Sequence, residues 1–163
     1  MTPPRTSAGE AATRVILSTF RANGLLLAAG DRIASAAALT SARWQVLGAI
    51  VLAGRPLTAP QIARRMGLTR QSVHATVQRL VRDGLLELAP NADHRRSQLV
   101  ELTDHGKVAY AAVDEQQRRW VNQLASGLSD ADLRTTAHVL DQLCRSLEAT
   151  GAENPTRDGG EAE

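Results

Sequence analysis

The stretch TAPQIARRMGLTRQSVHATVQRLVRDG, residues 58–84, decides the fold because it encodes two short helices separated by a tight turn. Thr58 and Gln61 have the spacing of a capping box, and Pro60 fits the first helical turn, where its missing N–H does no harm. Gly67 ends this helix, and Thr69 caps the next one two residues later. Two short helices joined in this way are typical of a helix-turn-helix.

The second of these helices is predicted to have one buried face and one polar face. Its apolar residues recur at helical spacing: Val73, Val77, Leu80 and Val81. The opposite face carries side chains that can contact DNA: Arg70, Gln71, Ser72, His74, Gln78 and Arg79. Arginine can bridge the O6 and N7 atoms of guanine, and glutamine can bridge N6 and N7 of adenine. We predict that this helix reads a major groove; the alternative is an ordinary solvated amphipathic face.

The periodicity changes after Gly84. Residues 85–88 and 98–102 read as two short strands, and the turn-rich loop between them is basic. This pattern predicts a wing whose His94, Arg95 and Arg96 reach DNA, the arginines in a neighbouring minor groove. Asp93 is a poor phosphate ligand, so its expected role is to brace the loop by pairing with a wing arginine. The alternative is a mobile charged loop.

Positive charge is concentrated in this part of the chain. Residues 55–103 hold eight arginines and four acidic residues, a net charge of +4, whereas the whole chain carries only +2. The helix N-termini at Thr58 and Thr69 complete the predicted DNA contacts, because such termini hold phosphate oxygens. A solvated arginine surface would give the same count.

The remaining sequence predicts helices on either side of the helix-turn-helix. The fold class is therefore mainly α, with a small two- or three-stranded β wing. We expect disordered ends at 1–9 and 151–163, N-terminal helices over 10–54, the DNA-binding lobe over 55–102 and C-terminal helices over 103–150. Gly24 and Gly30 lie inside the first predicted helix and indicate a bend or break there.

The last predicted helix carries an apolar seam. Its inward positions step by four and three residues, the spacing of a coiled coil: Leu133, Ala137, Leu140, Cys144 and Leu147. Such a seam needs a partner, either within the chain or in a second copy, and we predict a homodimer interface. On this seam Cys144 is expected to act as a small hydrophobe; the alternative is a redox sensor.

Several function classes find no support in the sequence. A nucleophile–base constellation, a phosphate loop and a paired-carboxylate motif are all missing, so we expect no enzyme and no cofactor. The four histidines lack close ligand spacing, and the single cysteine forms no zinc motif, so no metal is expected. With no signal segment and no apolar run near the roughly 20 residues of a membrane span, the expected location is cytoplasmic and off the membrane.

The order of these predicted elements resembles that of the multiple antibiotic resistance regulator (MarR) family of bacterial transcription factors. The most specific match is Asp93-x-Arg95-x-x-x-Leu99, which is similar to the family's wing motif. Further matches occur in the family's order and cover about residues 10–150: Leu39-Thr40 before Trp44-Gln-Val-Leu47, Leu57-Thr58 before Gln61-Ile-Ala63, Leu80-x-x-x-Gly84-Leu85, and Leu102-Thr103-x-x-Gly106.

The resemblance implies an obligate homodimer with interleaved first, fifth and sixth helices. It implies a palindromic double-stranded DNA operator, recognition helices about 34 Å apart, and a repressor released by a small aromatic acid or phenol. Arg95 would take the family's minor-groove role and Asp93 its bracing role. Trp44 would border the effector pocket, and Arg21 and Arg43 would pair with an anionic effector; the alternatives are a core tryptophan and two surface arginines. The competing function is a winged-helix module that binds protein instead of DNA.

Overall fold

The computed structural model describes residues 4–92, 94 and 97–152, which form six α-helices, a 3-10 turn at Ser35–Ala37 and one small sheet. Of the disordered ends predicted at 1–9 and 151–163, residues 1–3 and 153–163 lie outside the described residues, whereas residues 151–152 are helical because α6 continues through them. The wing roles predicted for Asp93, Arg95 and Arg96 also lie outside the described residues. The elements are α1 Ser7–Ala34, α2 Ser41–Ala53, β1 Leu57–Thr58, α3 Ala59–Met66, α4 Arg70–Arg82, β2 Leu86–Ala89, β3 Leu99–Leu102, α5 Asp104–Ala125 and α6 Asp130–Ala152. The predicted fold class, mainly α with a small β wing, is confirmed.

Local capping explains why α3 and α4 begin where they do. The Thr58 amide donates to Gln61 Oε1 at 2.8 Å, and the Gln61 amide donates to Thr58 Oγ1 at 3.4 Å, which closes the predicted capping box. Gly67 ends α3 in the left-handed region at φ +61°. Thr69 Oγ1 then accepts from the Ser72 amide at 3.1 Å and starts α4. The helix-turn-helix is therefore built from local signals.

Helix α1 differs from its prediction in both start and continuity. It begins at Ser7, not near residue 10, because Thr6 Oγ1 accepts from the Gly9 amide at 3.0 Å and caps the helix. A bend or break was expected at Gly24 and Gly30; the break is wrong, since one helix continues through both to Ala34. Gly30 instead permits close packing on α2: an added Cβ would lie 2.5 Å from Ser41 Oγ.

The wing contains a third strand that belongs to the helix-turn-helix side. The sheet is antiparallel with the order β1-β3-β2. In β1, Leu57 pairs with Val100 and Thr58 pairs with Leu99. Because Thr58 also caps α3, the sheet and the first helix of the helix-turn-helix share a residue.

The base of the wing is fixed to α5 through Thr103. The Thr103 hydroxyl donates to the Gly84 carbonyl at 2.7 Å and accepts from the Gly106 amide at 3.0 Å. Gly106 is buried against the backbone of Leu85, where an added Cβ would overlap the carbonyl oxygen and lie 3.0 Å from the carbonyl carbon. The Gly84-Leu85 and Thr103-x-x-Gly106 motifs therefore meet in space.

The core is aliphatic and centres on the helix-turn-helix. Its largest fully buried side chains come from α2, the two short helices, the sheet and α5: Val46, Leu47, Leu57, Ile62, Val73, Val77, Leu80, Leu86, Val100 and Val113. Trp44 and Tyr110 pack against this cluster while staying partly exposed. The buried stripe predicted for α4 is thus observed, and it leaves the opposite face of that helix open.

The chain divides into two compact units, residues 1–119 and 120–163. In the first unit, α1 exposes Leu17, Phe20 and Leu25, each by more than 60%. In the second unit, α6 leaves its predicted seam uncovered: Leu140 is half-buried, and the other four seam residues are exposed. Across the described parts of the chain, no single helix is long and apolar enough to cross a membrane, and the bent pair Ser7–Ala37 and Ser41–Ala53 meets that test only when counted together.

Candidate nucleic-acid interface

Helix α4 presents the predicted reading face to solvent. Its six predicted DNA contacts are all exposed: Arg70, Gln71, Ser72, His74, Gln78 and Arg79. Val73, Val77 and Leu80, on the opposite side, are at most 2% exposed. Packing therefore fixes the rotation of α4, and the polar side chains at its N-terminal end are free to meet base edges.

The two capping threonines have different environments. Thr58 is only 8% exposed, its hydroxyl accepts from the Gln61 amide, and its backbone lies in the sheet. This low exposure leaves little of the Thr58 side chain for direct DNA contact, the role predicted for it, which stays a prediction. Thr69 is exposed, and its hydroxyl accepts from Ser72. Thr69 can still approach a phosphate at the start of α4.

A basic cleft of about 550 Å³ separates the start of α3 from the wing. Three side chains in its lining are basic: Arg55, Arg64 and His94. Arg55 turns back to donate from Nη1 to the Pro56 carbonyl at 3.3 Å. His94 was a predicted wing contact, whereas Arg55 and Arg64 were counted only in the charge of the lobe. Their position beside the wing is what identifies them as candidate phosphate ligands.

A second, narrower groove runs between α4 and the sheet. Its volume is about 250 Å³, and it places His74 and Gln78 of α4 opposite Ser97 and Gln98 of the wing. Two predicted recognition residues therefore lie beside polar side chains that sequence reasoning did not single out. The sequence feature that could have identified Ser97 and Gln98 is their position at the end of the predicted wing loop.

Arg43 is engaged in an ion pair with the end of α4. It forms an ion pair with Asp83, which ends α4, and the two side chains are 21% and 51% exposed. Arg21 is exposed on α1. Neither arginine lines the cleft around Trp44, so the structure does not bring together the three residues predicted for an effector pocket.

Trp44 does line a cleft, here called the Trp44 cleft. It encloses about 280 Å³ between α2, α3 and α5, and its lining is Trp44, Gln45, Gly48, Ala49, Leu52, Met66, Tyr110, Asp114 and Gln117. Burial, followed by the charge of Asp114, raises the pKa of the Tyr110 phenol above its ordinary value, and Arg118 partly opposes this. The phenol is therefore a protonated hydrogen-bond donor at neutral pH.

The described residues hold no cluster of three metal-ligating side chains. His74, His94, His105 and His138 are all exposed. Cys144 is a free, exposed thiol on α6.

Comparison with known proteins places the fold in a family. A model of the MarR family matches residues 39–97, which include α2, the helix-turn-helix and the wing loop. An uncharacterised protein of Mycobacterium tuberculosis is 40% identical over 142 residues, covering 87% of this chain and 96% of that protein. The chain belongs to the MarR family of transcription regulators.

Two further comparisons cover more than four fifths of the chain. The transcriptional activatory protein BadR of Rhodopseudomonas palustris is 27% identical over 159 residues, which span 91% of this chain and 89% of BadR. The crystal structure of the M. tuberculosis regulator MosR in complex with DNA has a TM-score of 0.69 at 25% identity, covering 83% of this chain and 96% of that one. The fold described here is thus similar to that of a solved regulator in complex with DNA.

Proposed function

We propose that this MarR-family chain is a homodimeric transcription regulator that binds a palindromic operator and is released by a small aromatic effector. The observation that carries the proposal is the exposed polar face of α4, in the same lobe as the basic cleft between the start of α3 and the wing. Base-reading side chains and candidate phosphate ligands lie within one lobe, as sequence-specific binding requires. The DNA complex of MosR supports the same use of the fold.

The proposed contacts divide into two kinds. Gln71, near the start of α4, reads a base edge in the major groove. Arg55 and Arg64 hold phosphates beside the wing, and the sequence assigns Arg95 and Arg96 to the adjacent minor groove. Base contacts determine which sequence is bound, whereas phosphate contacts strengthen binding to all sequences and make it salt-dependent.

The first experiment identifies the operator and then separates the two kinds of contact. Genomic fragments retained by the protein are sequenced, and affinities for the enriched site and for a scrambled site are measured by fluorescence anisotropy at several salt concentrations. Gln71→Ala should weaken operator binding by about 1–3 kcal/mol and leave scrambled-site binding nearly unchanged. Arg64→Ala should weaken binding to both sites and lower the salt slope by about one.

Arg14→Ala is the matched control, because Arg14 is an exposed arginine on α1, outside the DNA-binding lobe. It should leave both affinities and the salt slope unchanged. Failure to enrich any palindrome, together with equal affinity for both sites, would instead favour the protein-interaction module.

The direction of regulation has two candidates. Repression is our first proposal, and the similarity to the activatory protein BadR favours activation as the second. Transcription in vitro from a promoter that overlaps the enriched site distinguishes them. A repressor lowers transcript yield as protein is added, and an activator raises it.

A further inference from the structure

The charge of the Trp44 cleft differs from that expected for an anion site. Its lining contains one charged residue, Asp114, and no arginine or lysine among the described residues. The two arginines predicted to neutralise an acid lie elsewhere, Arg43 in its ion pair with Asp83 and Arg21 exposed on α1. A carboxylate ligand in this cleft would meet the like charge of Asp114, and the cation that pairs with Asp114, Arg118, is not part of the lining.

Two aromatic residues accompany that carboxylate. Trp44 and Tyr110 both line the cleft, and aromatic faces attract cations, with indole the strongest of the three side-chain rings. Burial is the main cause of the raised pKa of Tyr110, and the charge of Asp114 adds to it while that of Arg118 opposes it, so Asp114 lies near enough to act on the ring. Aromatic faces combined with a carboxylate are typical of sites that bind organic cations.

Asp114 forms an ion pair with Arg118 that a bound cation can replace. Its Oδ2 lies 2.7 Å from Arg118 Nη2, but the Arg118 side chain is 75% exposed while that of Asp114 is 25% exposed. A guanidinium so well solvated gains little from the pair. A cation bound inside the cleft can therefore take over Asp114 while Arg118 returns to water.

Gly48 keeps the cleft open at its α2 side. An added Cβ there would lie 3.5 Å from Cε2 of Tyr110, an ordinary van der Waals contact, so a methyl group fits. A longer side chain would extend into the space beside the Tyr110 ring. Gly48 therefore offers a steric probe of the cleft that leaves the polar groups unchanged.

We propose that the Trp44 cleft binds a small aromatic cation, an amidine or amine, with its charged group at Asp114 and its ring against Trp44 and Tyr110. This inference rests on the proposed function, because it assigns the effector of that regulator a site and a chemical class.

The test uses three probes of nearly equal shape: benzamidine, which is cationic, benzamide, which is neutral, and benzoate, which is anionic. Binding is followed through Trp44 fluorescence in the full chain carrying Trp120→Phe, so that a single indole reports. Benzamidine should give a saturable change, with benzoate at least tenfold weaker and benzamide between them. Equal or tighter benzoate binding, or no saturable change with any probe, would overturn the proposal.

Asp114→Asn and Glu115→Gln form a matched pair, because each removes a carboxylate that pairs with an arginine four residues later on α5. Only Asp114 lines the cleft. Asp114→Asn should weaken benzamidine binding at least tenfold, whereas Glu115→Gln should leave it unchanged. Equal effects of the two substitutions would contradict a direct contact with Asp114.

Gly48→Leu should abolish benzamidine binding by filling the cleft, and Gly48→Ala should largely retain it. Retained binding in a folded Gly48→Leu protein would show that benzamidine binds elsewhere. None of these titrations contains DNA, so their outcome is independent of the operator measurements. A protein that binds benzamidine but no operator DNA would contradict the proposed function. A protein that binds operator DNA but not benzamidine would contradict only this inference.

Discussion

Gly106 is the residue at which backbone packing is tightest. It lies in the first turn of α5 against the Leu85 carbonyl, next to the two hydrogen bonds of Thr103. The obstacle to a side chain is backbone, which cannot rotate away as a flexible side chain would. The site therefore requires glycine for space, not for an unusual φ.

Gly106→Ala should lower the free energy of unfolding by about 3 kcal/mol, the upper range for overpacking a tight site. Urea denaturation monitored by circular dichroism measures the change. Gly24→Ala is the control, since nothing lies within 4 Å of an added Cβ there. That substitution should stabilise the helix by about 1 kcal/mol. Similar stabilities for the two variants would contradict the packing described at Leu85.

Helix-capping residues were predictable from the sequence because a cap involves neighbours three residues apart. Thr58 and Thr69 both cap the helices predicted for them. The burial of Thr58 was not predictable, since it depends on pairing with Leu99, forty-one positions along the chain. Propensity describes a residue's immediate neighbours and contains no information on such distant partners.

Among the elements, α2 and α4 are joined by a polar contact between Arg43 and Asp83, which are forty residues apart. Arg43 precedes Trp44, so the residue beside the cleft-lining indole also holds the end of the recognition helix. Arg43 Nε is buried without a hydrogen-bond partner among the described residues, which leaves the terminal nitrogen as the group that carries the contact. This ion pair adds a polar contact to the packing between α2 and the C-terminal end of α4.

A double-mutant cycle tests the strength of this connection. Arg43→Met keeps the apolar stem, Asp83→Asn removes the charge, and the coupling energy from urea unfolding should be about 0.5–1 kcal/mol. Lys107 and Asp104 form the control pair, since both side chains are largely exposed, at 66% and 98%. Their cycle should show no measurable coupling. A cycle without coupling at Arg43 and Asp83 would contradict a stabilising ion pair between these two side chains.

Over the whole molecule, apolar surface remains uncovered on α1 in one unit and on α6 in the other. Leu17 and Phe20 are more than 60% exposed on α1, and Leu147 is 72% exposed on α6. Large exposed apolar patches mark sites of protein association. A second copy of the chain is the occupant that the proposed function requires for this surface, because a palindromic operator is read by two recognition helices.

Leu147→Asp should therefore shift sedimentation from dimer to monomer and weaken operator binding, while secondary structure by circular dichroism stays unchanged. The folded subunit tolerates the change because this side chain already faces water. Gln142→Asp, which adds the same charge at another exposed position of α6, should leave the dimer intact. Dimer formation by the Leu147→Asp protein would exclude this end of α6 from the interface.

The helix-turn-helix, the wing strands and the α4 stripe could be predicted because hydrophobic period and capping are local. The continuity of α1 through Gly30 could not, because that glycine is required by Ser41 of the next helix. The Trp44 cleft was predicted only in part. Sequence indicated the tryptophan but paired it with arginines, whereas the fold pairs it with Tyr110 and Asp114.

The double use of Thr58 also limits how the chain can change in length. Thr58 is at once a strand residue paired with Leu99 and the cap that starts α3. One residue inserted between Leu57 and Ala59 would keep either the pairing or the cap, but not both. Insertions and deletions in this family branch should therefore accumulate in the loop between β2 and β3 and stay out of the β1–α3 junction.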